Sequence, residues 1–281
     1  MSERREAGHV DVPGVRLWVV DEGPLDAPVV LLVGRMAAQA HEWPVALVDA
    51  LLGAGMRVVR ADQRGFGWSG LAAGRPWVIG DFVRDLLGLL DALGVRAPIH
   101  VLGASFGGVI ARECVLARPG LARTVTFLGS SPGDGKLAVW SEEYRAVAAN
   151  PPGPSFGERV AYLERELAVM TAGQLHPAAA HGRAVRTVSR GWSLDSLRRT
   201  ARAANNRTEA ERDLDRLRAI RVPVLVVHGT RDAVLAVEHG RLLATCFDDA
   251  RFLEVEGMGH EPVDAEVAAF APALVELVTR A

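Results

Sequence analysis

The run PVVLLVG at residues 28–34 most constrains the fold, because it is apolar throughout and rich in β-branched residues. A strand with one face in water alternates apolar and polar residues, whereas a strand covered on both faces need not. Further strand-like runs lie at residues 15–20, 56–62, 98–104, 122–130, 222–229 and 251–257. Together they predict a mostly parallel sheet with helices on both faces.

The segments between these runs have the spacing of amphipathic helices. In residues 79–94, for example, Phe82, Leu86 and Leu90 fall on one helical face. Helices are also predicted at residues 43–55, 105–120, 234–246 and 264–280. The alternation of strands and helices predicts the α/β fold class.

Residues 133–218 interrupt the alternation, because they contain no strand-like run and are rich in Arg, Ala and Glu. Helices are predicted there at residues 141–149, 156–171, 193–204 and 207–218. We therefore expect a core formed by residues 1–132 and 219–281, with a helical insertion between its sixth and seventh strands. The arginines of the insertion (183, 186, 190, 198, 199 and 202) are interpreted as a solvated helix face, with attraction of an anionic substrate as the alternative.

The charge balance argues against two classes of partner. The formal net charge is −2 and the sequence pI is about 6.5, so nothing indicates binding to nucleic acid or to an anionic membrane. No apolar run reaches membrane-spanning length, and the charged N-terminus lacks the apolar region of a signal peptide. We expect a cytoplasmic protein that acts on a small molecule, and its oligomeric state is left open.

The stretch HVLGASFGG at residues 100–108 places Ser105 between a predicted strand and a predicted helix. Gly-x-Ser-x-Gly in this context is typical of a nucleophile elbow, in which flanking glycines relieve crowding in a strained turn. The alternative is a small residue needed only for close packing. A serine hydroxyl is a poor nucleophile at neutral pH, so the catalytic hypothesis requires a base and an acid that orients the base.

Two other strand ends supply that base and acid. Asp232 follows the strand at 222–229, and His260 follows the last strand. Ligands of parallel sheets bind beyond the carboxyl ends of the strands, so Ser105, Asp232 and His260 are the candidate catalytic residues. Asp134 and Asp264 remain rival acids. His228 is interpreted as structural, as are Asp62 and Arg64, which we expect to tie a turn together.

An oxyanion hole is predicted from backbone N–H groups, one from Phe106 and one from Arg35 or Met36 in the loop after the first buried strand. We expect the wall of a substrate pocket to contain Gly34, Trp43, Trp140 and Trp192.

Taken in order, the stretches VVLLVGR, RADQRGFGWSG, VLGASFGG, VVHGTRDAVL and EGMGHEP resemble the α/β-hydrolase family over nearly the whole chain. The first half, including MSER and RLW, also looks like the aclacinomycin methylesterase type of hydrolase from polyketide biosynthesis. One departure is Val33-Gly34, where many members have His-Gly. The resemblance implies an acyl-enzyme reaction that needs no metal or cofactor, under a lid formed by the insertion.

The function expected from these residues is hydrolysis of a carboxylic ester of a small to medium apolar metabolite. Many chemistries share such a fold. Cleavage of a carbon–carbon bond, cofactor-free peroxidation and a rearrangement such as cyclisation therefore remain alternatives, as does a binding protein without turnover.

Overall fold

The structure is a computed structural model that describes residues 5–71, 76–133, 140–206, 208 and 214–280, with the backbone alone for Arg5. Its centre is an eight-stranded sheet. The strands are β1 (Arg5–Val12), β2 (Val15–Glu22), β3 (Val29–Val33), β4 (Arg57–Ala61), β5 (Ile99–Ala104), β6 (Ala122–Leu128), β7 (Val224–Gly229) and β8 (Ala250–Val255).

The strand order is β1-β2-β4-β3-β5-β6-β7-β8. Strand β2 pairs antiparallel with β1 and β4, and every other pair is parallel. The mostly parallel sheet predicted from the sequence is therefore confirmed, and β1 is an edge strand that the pattern did not reveal. Because β3 to β8 run in one direction, their carboxyl ends lie along a single edge of the sheet.

Ten helices lie among the described residues. They are α1 (Val45–Gly53), α2 (Ile79–Ala92), α3 (Phe106–Ala117), α4 (Glu142–Ala148), α5 (Phe156–Met170), α6 (Pro177–Ser189), α7 (Leu194–Asn205), α8 (Glu238–Ala244), α9 (Asp264–Val267) and α10 (Ala271–Arg280). Within the described residues, no helix combines the length and apolar character needed to cross a membrane.

Strand β3 shows why the central strands are apolar throughout. Val29, Leu31 and Val33 belong to the hydrophobic cluster that also contains residues of α2 and α3. Val30 and Leu32 belong to the cluster on the opposite face, which contains residues of α1 and α10. Since successive side chains of a strand point to opposite faces, a sheet covered on both sides buries every residue.

The helix predicted at 264–280 is divided into α9 and α10. Pro272 has no backbone N–H and cannot bond to the carbonyl of residue 268, so a continuous helix would lose a hydrogen bond there. Helix α6 was not among the helices predicted in the insertion, and its sequence PAAAHGRAVRTVS contains few large apolar residues. Part of the helix predicted at residues 207–218 lies outside the described residues. Residues 215–218 belong to a 3₁₀ turn, Asp215–Ala219, instead of an α-helix.

Helices α4 to α7 follow β6 and precede β7. They enclose a small apolar cluster that includes Tyr162, Val188 and Trp192. Ala37, from the loop after β3, and Phe66, from the loop after β4, belong to the same cluster. The inserted helices therefore pack over loops at the carboxyl edge of the sheet.

The turn after β4 is held by buried charges. Asp62 accepts hydrogen bonds from the backbone N–H groups of Ala40 (2.6 Å) and Trp68 (2.9 Å). Arg64 donates from Nε to Asp85 on α2 at 2.7 Å, and both side chains are buried. The contacts of Asp62 and Arg64 are thus those of structural residues.

Replacement of Arg64 by Met is expected to destabilise the protein by about 3–5 kcal/mol, because it leaves the Asp85 carboxylate buried without its partner. Urea unfolding followed by circular dichroism measures this change. The control is Arg241→Met, which removes an ion pair of a half-exposed arginine with Glu254 and should cost at most about 1 kcal/mol. If the two substitutions lowered the free energy of unfolding equally, the structural role assigned to Arg64 would be contradicted.

Candidate active site

Ser105 occupies a strained turn between β5 and α3. Its φ of 52° and ψ of −121° lie where L-residues are rare, because the side chain crowds the backbone. The conformation is held by hydrogen bonds on both sides: the Ser105 N–H donates to Leu128 O (2.9 Å), and the Ser130 hydroxyl donates to Ser105 O (2.8 Å). The turn is therefore anchored to β6 and the residues that follow it.

The glycines that flank Ser105 allow a very close approach of backbone segments. A Cβ on Gly103 would lie 2.5 Å from Gly107 O and 2.6 Å from Gly108 Cα. A Cβ on Gly107 would overlap the carbonyl oxygens of Val33 and Gly34 at the end of β3. Any larger residue at either position would push α3 away from the sheet and release the turn.

Asp232 and His260 come together at the ends of β7 and β8. The Asp232 Oδ1 atom accepts the backbone N–H groups of Val234 and Leu235, each at 2.8 Å. Its Oδ2 atom lies 2.7 Å from His260 Nδ1. A carboxylate can only accept, so we assign a hydrogen to His260 Nδ1, which leaves Nε2 available as a proton acceptor.

The surroundings of Asp232 keep its carboxyl group ionised. Burial alone would raise the pKa of Asp232, but the charge of His260 and the hydrogen bonds from His228 and His260 outweigh that effect. The pKa of Asp232 is therefore held well below its ordinary value. An ionised acid is the form that can orient the His260 ring and stabilise a positive charge on it.

Ser105 and His260 line the same cavity, which has a volume of about 30 Å³. Gly34, Arg35 and Trp43 also line it. Phe106 is the first residue of α3, and a helix leaves its first N–H groups without partners inside the helix. Two oxyanion candidates, Phe106 and Arg35, thus belong to the segments around the cavity. Met36 packs instead against the main core, and its carbonyl accepts a bond from the Arg35 side chain.

Two tryptophans expected in the pocket wall lie elsewhere. Trp140 is 45% exposed, and its backbone N–H donates to Val234 O beside the loop that carries Asp232. Trp192 is buried inside the helical insertion, with its ring 5.8 Å from that of Tyr162. Neither lines the cavity at Ser105. Trp192 instead packs in the small apolar cluster of the insertion, and Trp140 lies on the surface.

The rival acids are also distinguished by position. Asp264 starts α9, is exposed, and accepts a hydrogen bond from the Ala46 N–H on α1. Asp134 lies outside the described residues. Among the residues that the structure describes, Asp232 is the acid bonded to His260. No group of three or more His, Cys, Asp or Glu side chains in the described ranges converges to hold a metal ion.

A buried charge cluster of Arg35, Glu42, Arg183 and Glu261 borders the cavity and was not foreseen. Arg35 Nε donates to Glu261 Oε2 at 2.8 Å, and Arg35 Nη2 lies 3.6 Å from Glu42 Oε1. Arg183 on α6 also pairs with Glu261. The cluster therefore joins the loop after β3, the loop that carries His260, and the helical insertion.

The solvated arginine face expected in the insertion is wrong for two members. The Arg183 side chain is 13% exposed, and Arg190 pairs with the fully buried Asp62 at 3.1 Å. Glu261 directly follows the candidate base His260, and this position in the sequence could have indicated that Glu261 lies at the site. Its partner could not be found from the sequence, because Arg183 is brought to it only by the docking of α6.

The pKa of Glu261 gives a test of the cluster. Burial alone would raise it, but Arg183 and Arg35 outweigh burial and lower the pKa from 4.5 to about 2. The folded value lies below the unfolded one, so the carboxylate stabilises the fold above about pH 4.5. That stabilisation is lost as the pH falls towards 2.

We expect Glu261→Gln to reduce the dependence of the free energy of unfolding on pH between about 4.5 and 2, by up to ~1.4 kcal/mol per pH unit. Urea unfolding at a series of pH values measures this slope. Glu256→Gln, at an exposed site, is the control and should keep the slope of the unmodified protein. An unchanged slope in Glu261→Gln would show that the ion pairs do not form.

Comparison with known proteins places the chain in a family. A family profile described as alpha/beta hydrolase fold matches residues 27–266. The rhodomycin D methylesterase DnrP of Streptomyces peucetius is 28% identical, with 91% of this chain and 94% of that protein covered. The non-heme chloroperoxidase of Streptomyces lividans is also 28% identical, over 94% and 96%. The crystal structure of the esterase RhEst1 from Rhodococcus sp. ECU1013 superposes with a TM-score of 0.79 at 23% identity, covering 100% and 99%. The profile spans most of the sequence, and the chain belongs to the α/β-hydrolase family.

Proposed function

We propose that this protein is a serine hydrolase that cleaves a carboxylic ester of a small to medium apolar metabolite. One observation carries the proposal: Ser105, on its strained turn, lines the same cavity as His260, whose Nδ1 is bonded to the ionised Asp232. A nucleophile, a base and an acid that orients the base are the set required for acyl transfer.

In the first step, Ser105 Oγ attacks the ester carbonyl carbon while His260 Nε2 takes the hydroxyl proton. The tetrahedral intermediate then collapses, the carbon–oxygen bond to the alcohol breaks, and the alcohol leaves with the proton from His260. Water next attacks the acyl-enzyme with His260 again as base, which releases the carboxylic acid and restores Ser105. Asp232 holds the imidazole and stabilises its charged form throughout.

The negative charge on the former carbonyl oxygen requires hydrogen-bond donors. We propose the N–H of Phe106, at the start of α3, together with the N–H of Arg35 or Met36. One such donor is worth on the order of 3 kcal/mol of transition-state stabilisation. A backbone donor does not depend on the side chain before it, so Val33-Gly34 in place of His-Gly is compatible with this role.

The walls of the cavity favour an apolar substrate. Trp43, Pro44 and Leu128 supply apolar surface. The charged wall residues Arg35, Glu42 and Glu261 are paired: Arg35 bonds to Glu261 at 2.8 Å and lies 3.6 Å from Glu42. Binding a charged substrate group there would require breaking an existing ion pair. The relative named rhodomycin D methylesterase supports an ester substrate.

We further propose that helices α4 to α7, the described helices of the insertion, form a lid over the site. The cavity volume of about 30 Å³ is far below the roughly 300–1,000 Å³ of typical ligand pockets, so we expect part of the wall to move when an ester enters. Helices α4 to α7 pack on the loops after β3 and β4, and their movement would enlarge the cavity.

Ser105→Ala is expected to abolish labelling by a fluorophosphonate probe and to lower ester hydrolysis by at least about 10³-fold, because the variant lacks the hydroxyl that forms the proposed acyl-enzyme. Labelling is read on a gel, and hydrolysis is measured with p-nitrophenyl acetate and with a panel of methyl esters assayed for methanol. Ser189→Ala, at the exposed end of α6, is the matched control. Retained labelling in Ser105→Ala would refute the nucleophile.

Asp232→Asn is expected to lower kcat by about 10⁴-fold, because an amide cannot hold His260 in the reactive tautomer. Asp264→Asn and Asp134→Asn test the rival acids and should retain the activity of the unmodified protein. Steady-state kinetics with p-nitrophenyl acetate measures all three. A loss confined to Asp134→Asn would reassign the acid.

The relative named as a non-heme chloroperoxidase favours one second candidate, cofactor-free peroxidation in the same pocket. The assays above separate the two. Methanol release from a methyl ester supports hydrolysis, whereas Ser105-dependent oxidation of a substrate by peroxide without ester cleavage supports the alternative.

A further inference from the structure

A second imidazole lies against the acid of the candidate triad. His228 is on β7, is fully buried, and precedes Asp232 by four residues. Its Nε2 atom is 3.0 Å from Asp232 Oδ2, the same oxygen that lies 2.7 Å from His260 Nδ1. Its Nε2 is also 2.8 Å from Leu235 O. The acid thus stands between two histidines.

The hydrogen-bond partners define the tautomer of His228. A backbone carbonyl and a carboxylate can only accept, so we assign the hydrogen to His228 Nε2. The Nδ1 atom is buried and has no hydrogen-bond partner among the described residues. A hydrogen on Nδ1 would be a buried donor without an acceptor, which is unfavourable. The single Nε2 hydrogen of His228 is therefore shared between two acceptors, Leu235 O at 2.8 Å and Asp232 Oδ2 at 3.0 Å.

Packing holds the ring in place. Helix α8 passes over His228 with Gly240 facing the ring, where a Cβ would lie 2.6 Å from Nδ1 and 2.9 Å from Cγ. Only a residue without a Cβ allows the helix to come so close. The ring is consequently confined between α8 and the loop that carries Asp232, and it has no room to turn away.

We propose that His228 is a positioning residue that fixes the carboxylate plane of Asp232 for its bond with His260. This inference rests on the proposed function. The N–H groups of Val234 and Leu235 bond to Oδ1, whereas the two histidines contact Oδ2. The bond from His228 holds the second oxygen, so that Oδ2 faces His260 Nδ1. At metal sites, groups that orient a ligand in this way contribute about 10- to 100-fold to affinity or activity, and we expect an effect of that size for His228.

The test compares His228→Leu with His228→Gln. Leucine fills the space but cannot donate, whereas the glutamine amide places an N–H donor near the position of Nε2. We expect His228→Leu to lower kcat for p-nitrophenyl acetate, and the rate of fluorophosphonate labelling, by about 10- to 100-fold with KM changed less than threefold. Glutamine should recover most of the loss.

His100→Leu is the matched control. His100 is a buried strand histidine with a side-chain bond to Thr124 at 2.9 Å, on β5 rather than β7. Its replacement should lower thermal stability without lowering kcat. If His228→Leu keeps the kcat of the unmodified protein, or if His228→Gln is as impaired as His228→Leu, the positioning role is overturned.

A measurement on the unmodified protein keeps the inference testable should the Leu variant fail to fold. Proton–nitrogen NMR of protein labelled with ¹⁵N-histidine identifies which ring nitrogen carries the hydrogen. A proton on His228 Nε2 supports the inference, and a proton on Nδ1 alone overturns it. Ser105→Ala separates this inference from the proposed function: if that variant retains full labelling and hydrolysis, the proposed function itself fails. If it loses both while His228→Leu loses neither, only the role of His228 fails.

Discussion

The contact of α3 with the ends of β3 and β5, made backbone to backbone, is the constraint on which the candidate site depends. Gly103 and Gly107 have no Cβ, so the helix begins immediately beside the strands. That proximity forces the residue between them, Ser105, into a positive φ. The strained conformation persists because bonds to Leu128 and from Ser130 hold it from the neighbouring strand.

The parallel sheet brings the candidate catalytic residues together at one place. Strands β5, β7 and β8 run in one direction, so the residues that follow them share one edge although they are distant in the chain. At this edge of the sheet, the buried charged side chains pair with each other instead of contacting water. Asp232 is bonded to His260, and Glu261 to Arg35 and Arg183. Pairing of buried charges is what allows an ionised acid to persist at the candidate site.

Most of the fold could be predicted, because the apolar runs and the helical spacing are local signals. The exceptions have local causes as well: Pro272 divides the last helix, and α6 contains few large apolar residues. At the site, the strand ends indicated Ser105, Asp232 and His260. Pocket predictions for Trp140 and Trp192 failed because a tryptophan is equally suited to a core, a rim or a pocket.

The sequence by itself determined which strands are buried on both faces and which polar residues end them, since alternation of polarity and glycine spacing are properties of neighbouring residues. Only the tertiary structure decided which of those polar residues touch. The contact of Arg183 with Glu261 depends on how α6 docks, and the contact of His228 with Asp232 depends on how the chain turns after β7. A hydrogen bond requires atoms to lie about 3 Å apart, and the sequence positions of such residues do not encode that distance.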